Sequence, residues 1–102
     1  MYGTIGHMKA KPGKLSEIIA LDKDMINRRK PKGFVGEYVY RMDSDPDEFI
    51  LVVLFDSKEN YIANAQDPEQ DKEFRKLREL MAADPHWHDG EVVHSFTSER
   101  PS

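Results

Sequence analysis

Three groups able to bind a metal or carry a proton fall within four residues at His86, His88 and Asp89, with Trp87 between the histidines. A histidine side chain changes charge near neutrality, which suits a general base, and an indole beside it can close an apolar wall. His88 is accordingly the candidate base, facing a ligand cleft at the mouth of the last strand with Trp87 as lining. The alternative is a Trp87 that anchors this connection in the core beside a solvated His88. In extended geometry His86 and His88 share one side and Trp87 and Asp89 the other, so a His-x-His metal pair would need ligands from elsewhere. No third ligand is identifiable, and no metal is expected.

The remaining candidates are set by helix and strand spacing. Tyr61 and Asn64 stand three apart and can share a helix face, as can Arg75 and Arg78. Such pairs can hold a polar ligand; they can equally be a half-buried aromatic with a helix-end amide, and two solvated cations. Tyr38 and Tyr40 fall on one face of a strand, where they line a cleft or pack under helices. His7 and His94 sit inside predicted strands, as hydrogen-bonded structural residues.

The elements that must position these groups follow from punctuation and period. Strand-forming residues over 2–10 end at Pro12-Gly13. From Lys14 to about Arg29, Leu15, Ile18, Ile19, Met25 and Ile26 recur at three- and four-residue spacing, which predicts an amphipathic helix. Arg28, Arg29 and Lys30 suit its negative end, and Pro31 and Gly33 stop it. Phe34 to Arg41 and Phe49 to Phe55 read as a hairpin around Asp43-Ser44-Asp45-Pro46-Asp47. Ser57 caps a short helix over 58–65, and Asp67-Pro68 with Gln70 starts a longer one carrying Phe74, Leu77 and Met81 as far as Asp84-Pro85. Gly90 to Phe96 supplies the last strand.

The order β, α, β, β, α in two pieces, β predicts an α+β, ferredoxin-like βαββαβ fold: a four-stranded antiparallel sheet with its helices on one face. Residues 1–97 form the expected domain and 98–102 a polar tail. Phe49 to Phe55 are apolar on both faces of their strand, although the helices cover one. The other is expected to be covered by a second copy, in a two-fold homodimer.

Composition narrows the function classes. The chain has 102 residues, 38% of them hydrophobic, enough for one folded core. A net charge of −4 argues against a nucleic-acid partner. With no cysteine there is no thiolate nucleophile, disulfide or Cys-based zinc site. No apolar run is long enough to span a bilayer and no secretory pattern opens the chain, so no membrane association and a cytoplasmic location are expected.

Pro12-Gly13 after strand one, Ser57-Lys58-Glu59 after an apolar strand, and Trp87-His88-Asp89-Gly90-Glu91-Val92-Val93 together resemble the antibiotic biosynthesis monooxygenase family, from Tyr2 to about Phe96. The resemblance implies a dimeric α+β barrel with a pocket between sheet and helices in each subunit, taking a small apolar or aromatic ligand. Haem-degrading relatives carry an Asn on strand one, a Trp on the short helix and an axial His on the long one; here those places hold Gly6, Asn64 and Phe74, which match none of them. The resemblance implies instead a monooxygenase without cofactor acting on an aromatic or polyketide-like phenol, with His88 assisting deprotonation, Asn64 and Tyr61 placing the oxygen functions, and Trp87, Tyr38, Tyr40, Arg75 and Arg78 around the substrate. A binding module without turnover and an oxygen-independent isomerase of muconolactone type are the alternatives.

Overall fold

The computed structural model describes residues 1–98 and runs β1 (Tyr2–Lys9), α1 (Leu15–Arg29), β2 (Phe34–Arg41), β3 (Glu48–Phe55), α2 (Lys58–Ala65), α3 (Pro68–Arg78) and β4 (His86–Glu91). The four strands form an antiparallel sheet in the order β2-β3-β1-β4, the ferredoxin-like arrangement expected.

Local chemistry fixes the helix ends. Gly13, at φ 75°, turns the chain into α1 and donates its N–H to Asp47 Oδ1 at 3.1 Å. Leu15, Ile18, Asp22 and Met25 form the buried face of α1, and Lys30 closes the helix in the left-handed region, its N–H bonded to the Ile26 carbonyl. Ser57 Oγ accepts from Asn60 N–H at 3.2 Å and opens α2. Asp67 accepts from Glu69 N–H at 2.9 Å and, with Pro68 in the first turn, opens α3. Arg29 then ties the end of α1 to this second cap, donating to Asp67 Oδ2 at 2.9 Å and to Gln70 Oε1 at 2.6 Å. Arg28 instead pairs with Asp24 within α1 and with Glu73 on α3.

Strand register sorts side chains into two faces. Across the sheet, Glu37, Val53, Thr4 and Asp89 stand in one row and Val39, Leu51, Gly6 and Trp87 in the next, both turned toward the helices. Beyond them Phe49 and Met8 meet Leu15, Ile18, Leu77 and Met81 in the packed core. The opposite face carries the rows Tyr38, Val52, Ile5, His88 and Tyr40, Ile50, His7, His86. A register shift between Phe34 and Gly36 sets which residues of β2 face inward.

Three expectations are corrected. The last strand begins at His86 and ends at Glu91 rather than spanning Gly90 to Phe96. The segment after Pro85 finds the free edge of β1, and pairing with it overrides the weak strand propensity of His-Trp-His-Asp-Gly. His94 therefore lies beyond β4, exposed. Helix α3 ends at Arg78, and Met81 instead bridges Ala10, buried, because Lys11 N–H takes the Leu80 carbonyl and Ala82 N–H the Lys9 carbonyl, each at 2.8 Å. Residues 99–102 of the expected polar tail lie outside the described residues.

Candidate functional site

Between the inner face of the sheet and the three helices lies a cavity of about 380 Å³, large enough for a small organic molecule. Its walls are mostly apolar, with Ile18, Met25, Val53, Phe55, Phe74 and Trp87 among the lining residues. Gly6 is what lets the indole lie there. A Cβ at Gly6 would stand 2.6 Å from the Trp87 ring, so only glycine leaves room for the ring over β1. Phe74 packs against it with ring centroids 6.0 Å apart.

One polar corner is built from α2, β1 and β4. The Ser57 cap starts α2 where Tyr61 reaches Asp89, and the phenol donates to Asp89 Oδ1 at 2.8 Å. Tyr2 and Phe55 flank the Tyr61 ring, with centroids at 5.3 and 5.8 Å. Burial, reinforced by the bond to Asp89 and opposed in part by the nearby Thr4 hydroxyl, pushes the phenol up to about 12, so it stays protonated at neutral pH. Thr4 Oγ1 nevertheless closes no hydrogen bond of good geometry, and neither does Asn64 Oδ1; both atoms are buried and both residues line the cavity. Unpartnered polar atoms in an apolar wall cost stability unless a ligand or water meets them.

The second polar corner went unnoticed in the sequence. Asp22 on α1 and Glu37 on β2 meet at the cavity wall, hydrogen-bonded to each other. Burial first, then the bond and the charge of Asp22, push the Glu37 carboxyl up to about 9, so the pair holds a proton at neutral pH. A signal was present: Leu15, Ile18, Asp22 and Met25 are spaced as one buried stripe, with a carboxylate where an apolar residue is expected.

Of the sequence candidates, the structure brings Tyr61, Asn64 and Trp87 to the cavity. His88 is placed elsewhere. It pairs with Ile5 on the outer face, exposed, because strand alternation that turns Trp87 and Asp89 inward must turn His88 outward. Tyr38 and Tyr40 share that outer face at 69% and 65% exposure, neither lining the cleft nor packing under the helices. Arg75 bonds Asp71 at 2.8 Å and Arg78 bonds Asp84 at 2.6 Å, and neither arginine is among the lining residues. His7 bonds Glu48 at 2.6 Å on the outer face. Among the described residues no group of three or more His, Cys, Asp or Glu is disposed to hold a metal ion, and no helix is long and apolar enough to cross a membrane.

The family model for antibiotic biosynthesis monooxygenases matches residues 1–77. SnoaB from Streptomyces nogalater, a cofactor-independent oxygenase, superposes with a TM-score of 0.79 at 10% identity, over 95% of this chain and 97% of that one. A protein from Deinococcus radiodurans with the same family designation gives 0.76 at 16% identity, over 98% and 100% of the two chains. One from Chloroflexus aurantiacus J-10-fl gives 0.66 at 27% identity, over 92% and 96%. No curated protein matches the chain.

Proposed function

The chain belongs to the antibiotic biosynthesis monooxygenase family, and on that premise we propose that it is a monooxygenase without cofactor that oxidises an aromatic or polyketide-like phenol held in the cavity. The observation that supports this reading is the apolar chamber whose buried Thr4 Oγ1 and Asn64 Oδ1 have no partner of their own. They are placed to meet the oxygen functions of a flat ring system, while Trp87 and Phe74 supply the apolar wall.

In this mechanism the substrate is an anthrone-type phenol with an acidic ring methylene. Asp89, oriented by Tyr61, takes a methylene proton; the electron pair stays on carbon, and the resulting carbanion reduces dioxygen. Over the whole reaction the methylene and one dioxygen become a carbonyl and one water, so atoms and electrons balance. Tyr61, protonated at neutral pH, keeps its hydrogen on Asp89 and steers the carboxylate toward the substrate. The active unit is proposed to be a cytoplasmic homodimer joined through the outer sheet face.

The test is dioxygen uptake and carbonyl product with an anthrone in buffer free of metal and flavin. Asn64→Ala and Tyr61→Phe should each lower the enzyme-dependent rate at least tenfold, and His88→Ala, on the outer face, should leave it within about twofold. Loss of activity in His88→Ala alone would return the base to that residue. One observation favours a second reading: among the described residues no Lys, Arg or His lines the cavity, so a carbanion has no cation beside it. A binding module without turnover would show saturable binding with no oxygen uptake, and an isomerase would turn over without oxygen.

A further inference from the structure

The cavity lining holds four carboxyl groups, on Asp22, Glu37, Asp71 and Asp89, and among the described residues no basic side chain. Two of the four are matched locally: Asp71 by Arg75 and Asp89 by the Tyr61 hydroxyl. Asp22 and Glu37 have one another. Arg29, at the end of α1, is taken by Asp67 and Gln70. Asp22 is 9% exposed and occupies a place on α1 that an apolar side chain would fill at lower cost to folding. A pair of carboxyls that share one proton carries a net negative charge, and this one, with Asp22 buried and Glu37 half-buried, faces an apolar chamber without a counter-charge.

A second observation points to a ligand in the same chamber. Thr4, 6% exposed with its hydroxyl unpartnered, lies in the same transverse row as Glu37, separated from it by Val53 on β3. Two strand spacings put their backbones roughly 10 Å apart, about the length of three fused rings. The floor of the cavity therefore reads carboxyl, apolar, hydroxyl.

Resting on the reading of this cavity as the ligand site, we propose that Asp22 and Glu37 form a cation subsite, and that the ligand carries a protonated amine at one edge of an apolar ring body and oxygen functions at the other. The ammonium group replaces the proton that the two carboxyls share, and that proton leaves to solvent. No bond to carbon is made or broken. The other titratable groups on the chamber wall, Tyr61 on α2, Asp71 on α3 and Asp89 on β4, add no positive charge that would oppose the amine. A cation held there also supplies the positive charge that a substrate carbanion otherwise lacks.

The experiment compares 2-aminomethylanthracene with 2-hydroxymethylanthracene by calorimetry at pH 7 in two buffers of different ionisation enthalpy. The amine should bind about tenfold or more tightly than the alcohol, with about one proton released per amine bound. Between pH 6 and pH 8 its affinity should rise up to about tenfold per pH unit while that of the alcohol stays level. In the double variant Asp22→Asn with Glu37→Gln, which leaves no carboxylate at the subsite, the preference should fall below about threefold, with the alcohol bound as before. Equal binding of the two probes by the wild type, absence of binding by both, a preference that survives in the double variant, or a level pH profile for the amine would each overturn the subsite. The wild-type pH profile and proton count keep the test valid if a variant fails to fold. Oxygenation of an anthrone without amine preference would remove the subsite and leave the oxygenase; amine preference without oxygenation would do the reverse.

Discussion

At the scale of single residues the chemistry of this chain is decided by which side chains are denied water. Glu37 shows it most directly. Its carboxyl is pushed from 4.5 up to about 9 in the folded chain, by burial first and then by Asp22. The unfolded chain ionises this group near the lower value, so between the two the folded state binds the additional proton. Stability must then fall as pH rises from about 4.5 to about 9 and level off above. The full shift would correspond to ~6 kcal/mol, but the group is half-buried and screened, so a loss of about 1–2 kcal/mol is expected. Glu37→Gln keeps the shape of the neutral acid and abolishes its titration. Urea unfolding should give nearly equal stabilities for wild type and variant at pH 5, and a variant more stable by about 1–2 kcal/mol at pH 8.5. Parallel profiles for the two proteins would show that Glu37 is ionised in the folded state.

At the scale of elements, the sheet positions the site through one close approach. Gly6 and Trp87 face each other across β1 and β4, and a Cβ at Gly6 would press on the indole and on the end of the Met8 side chain. Gly6→Ala should push the ring into the cavity or out of its contact with Phe74, costing about 1–3 kcal/mol. Trp87 is the chain's one tryptophan, so its emission should shift in the variant and lose sensitivity to bound ligand. An unchanged spectrum and unchanged thermal midpoint would mean that the ring does not rest on β1. The same elements show what was legible beforehand. Ser57, Asp67-Pro68, Pro12-Gly13 and the Lys30 to Gly33 stop are local signals, and the helices they bound lie within a residue of expectation at those ends. Strand β4 had no such signal: apart from Trp87, His86 to Glu91 has no large apolar side chain, and pairing with the waiting edge of β1 makes it a strand. The inward face of β2 was hidden for a related reason. β3 is apolar on both faces and so gives no parity, and the register shift at Phe34 to Gly36 turns Glu37 inward and the more apolar-looking Tyr38 and Tyr40 outward. Asp22 and Glu37 were missed together, since each makes sense as a buried group once the other is seen.

At the scale of the whole molecule the outstanding feature is a sheet with helices on one side and apolar side chains on both. The molecule is a slab of 35 × 34 × 23 Å, one sheet and one helical layer thick. Its outer face carries Ile5, Tyr38 and Tyr40 at 47%, 69% and 65% exposure, with Ile50, Val52 and Leu54 between them. An antiparallel sheet meant to face water alternates apolar-in with polar-out, and this face departs from that pattern, which supports the proposed homodimer. The slab's broad side can supply the ~800 Å² per partner that a stable interface needs. A second copy related by a two-fold axis is the simplest cover, because the same rows then meet themselves. Ile5 lies on β1, one of the two central strands, and in the row with Val52 and His88; Ile5→Asp would bury one carboxylate from each copy near the middle of the joint. The expected outcome is a wild type sedimenting as a dimer at micromolar concentration and a variant weakened at least about 100-fold in self-association, with its far-ultraviolet circular dichroism retained. Since Ile5 points away from the cavity, the aromatic probe should still bind the monomeric variant. A monomeric wild type at that concentration would overturn the dimer. It would leave the inner cavity and its two polar corners, which are built within one chain, as they stand.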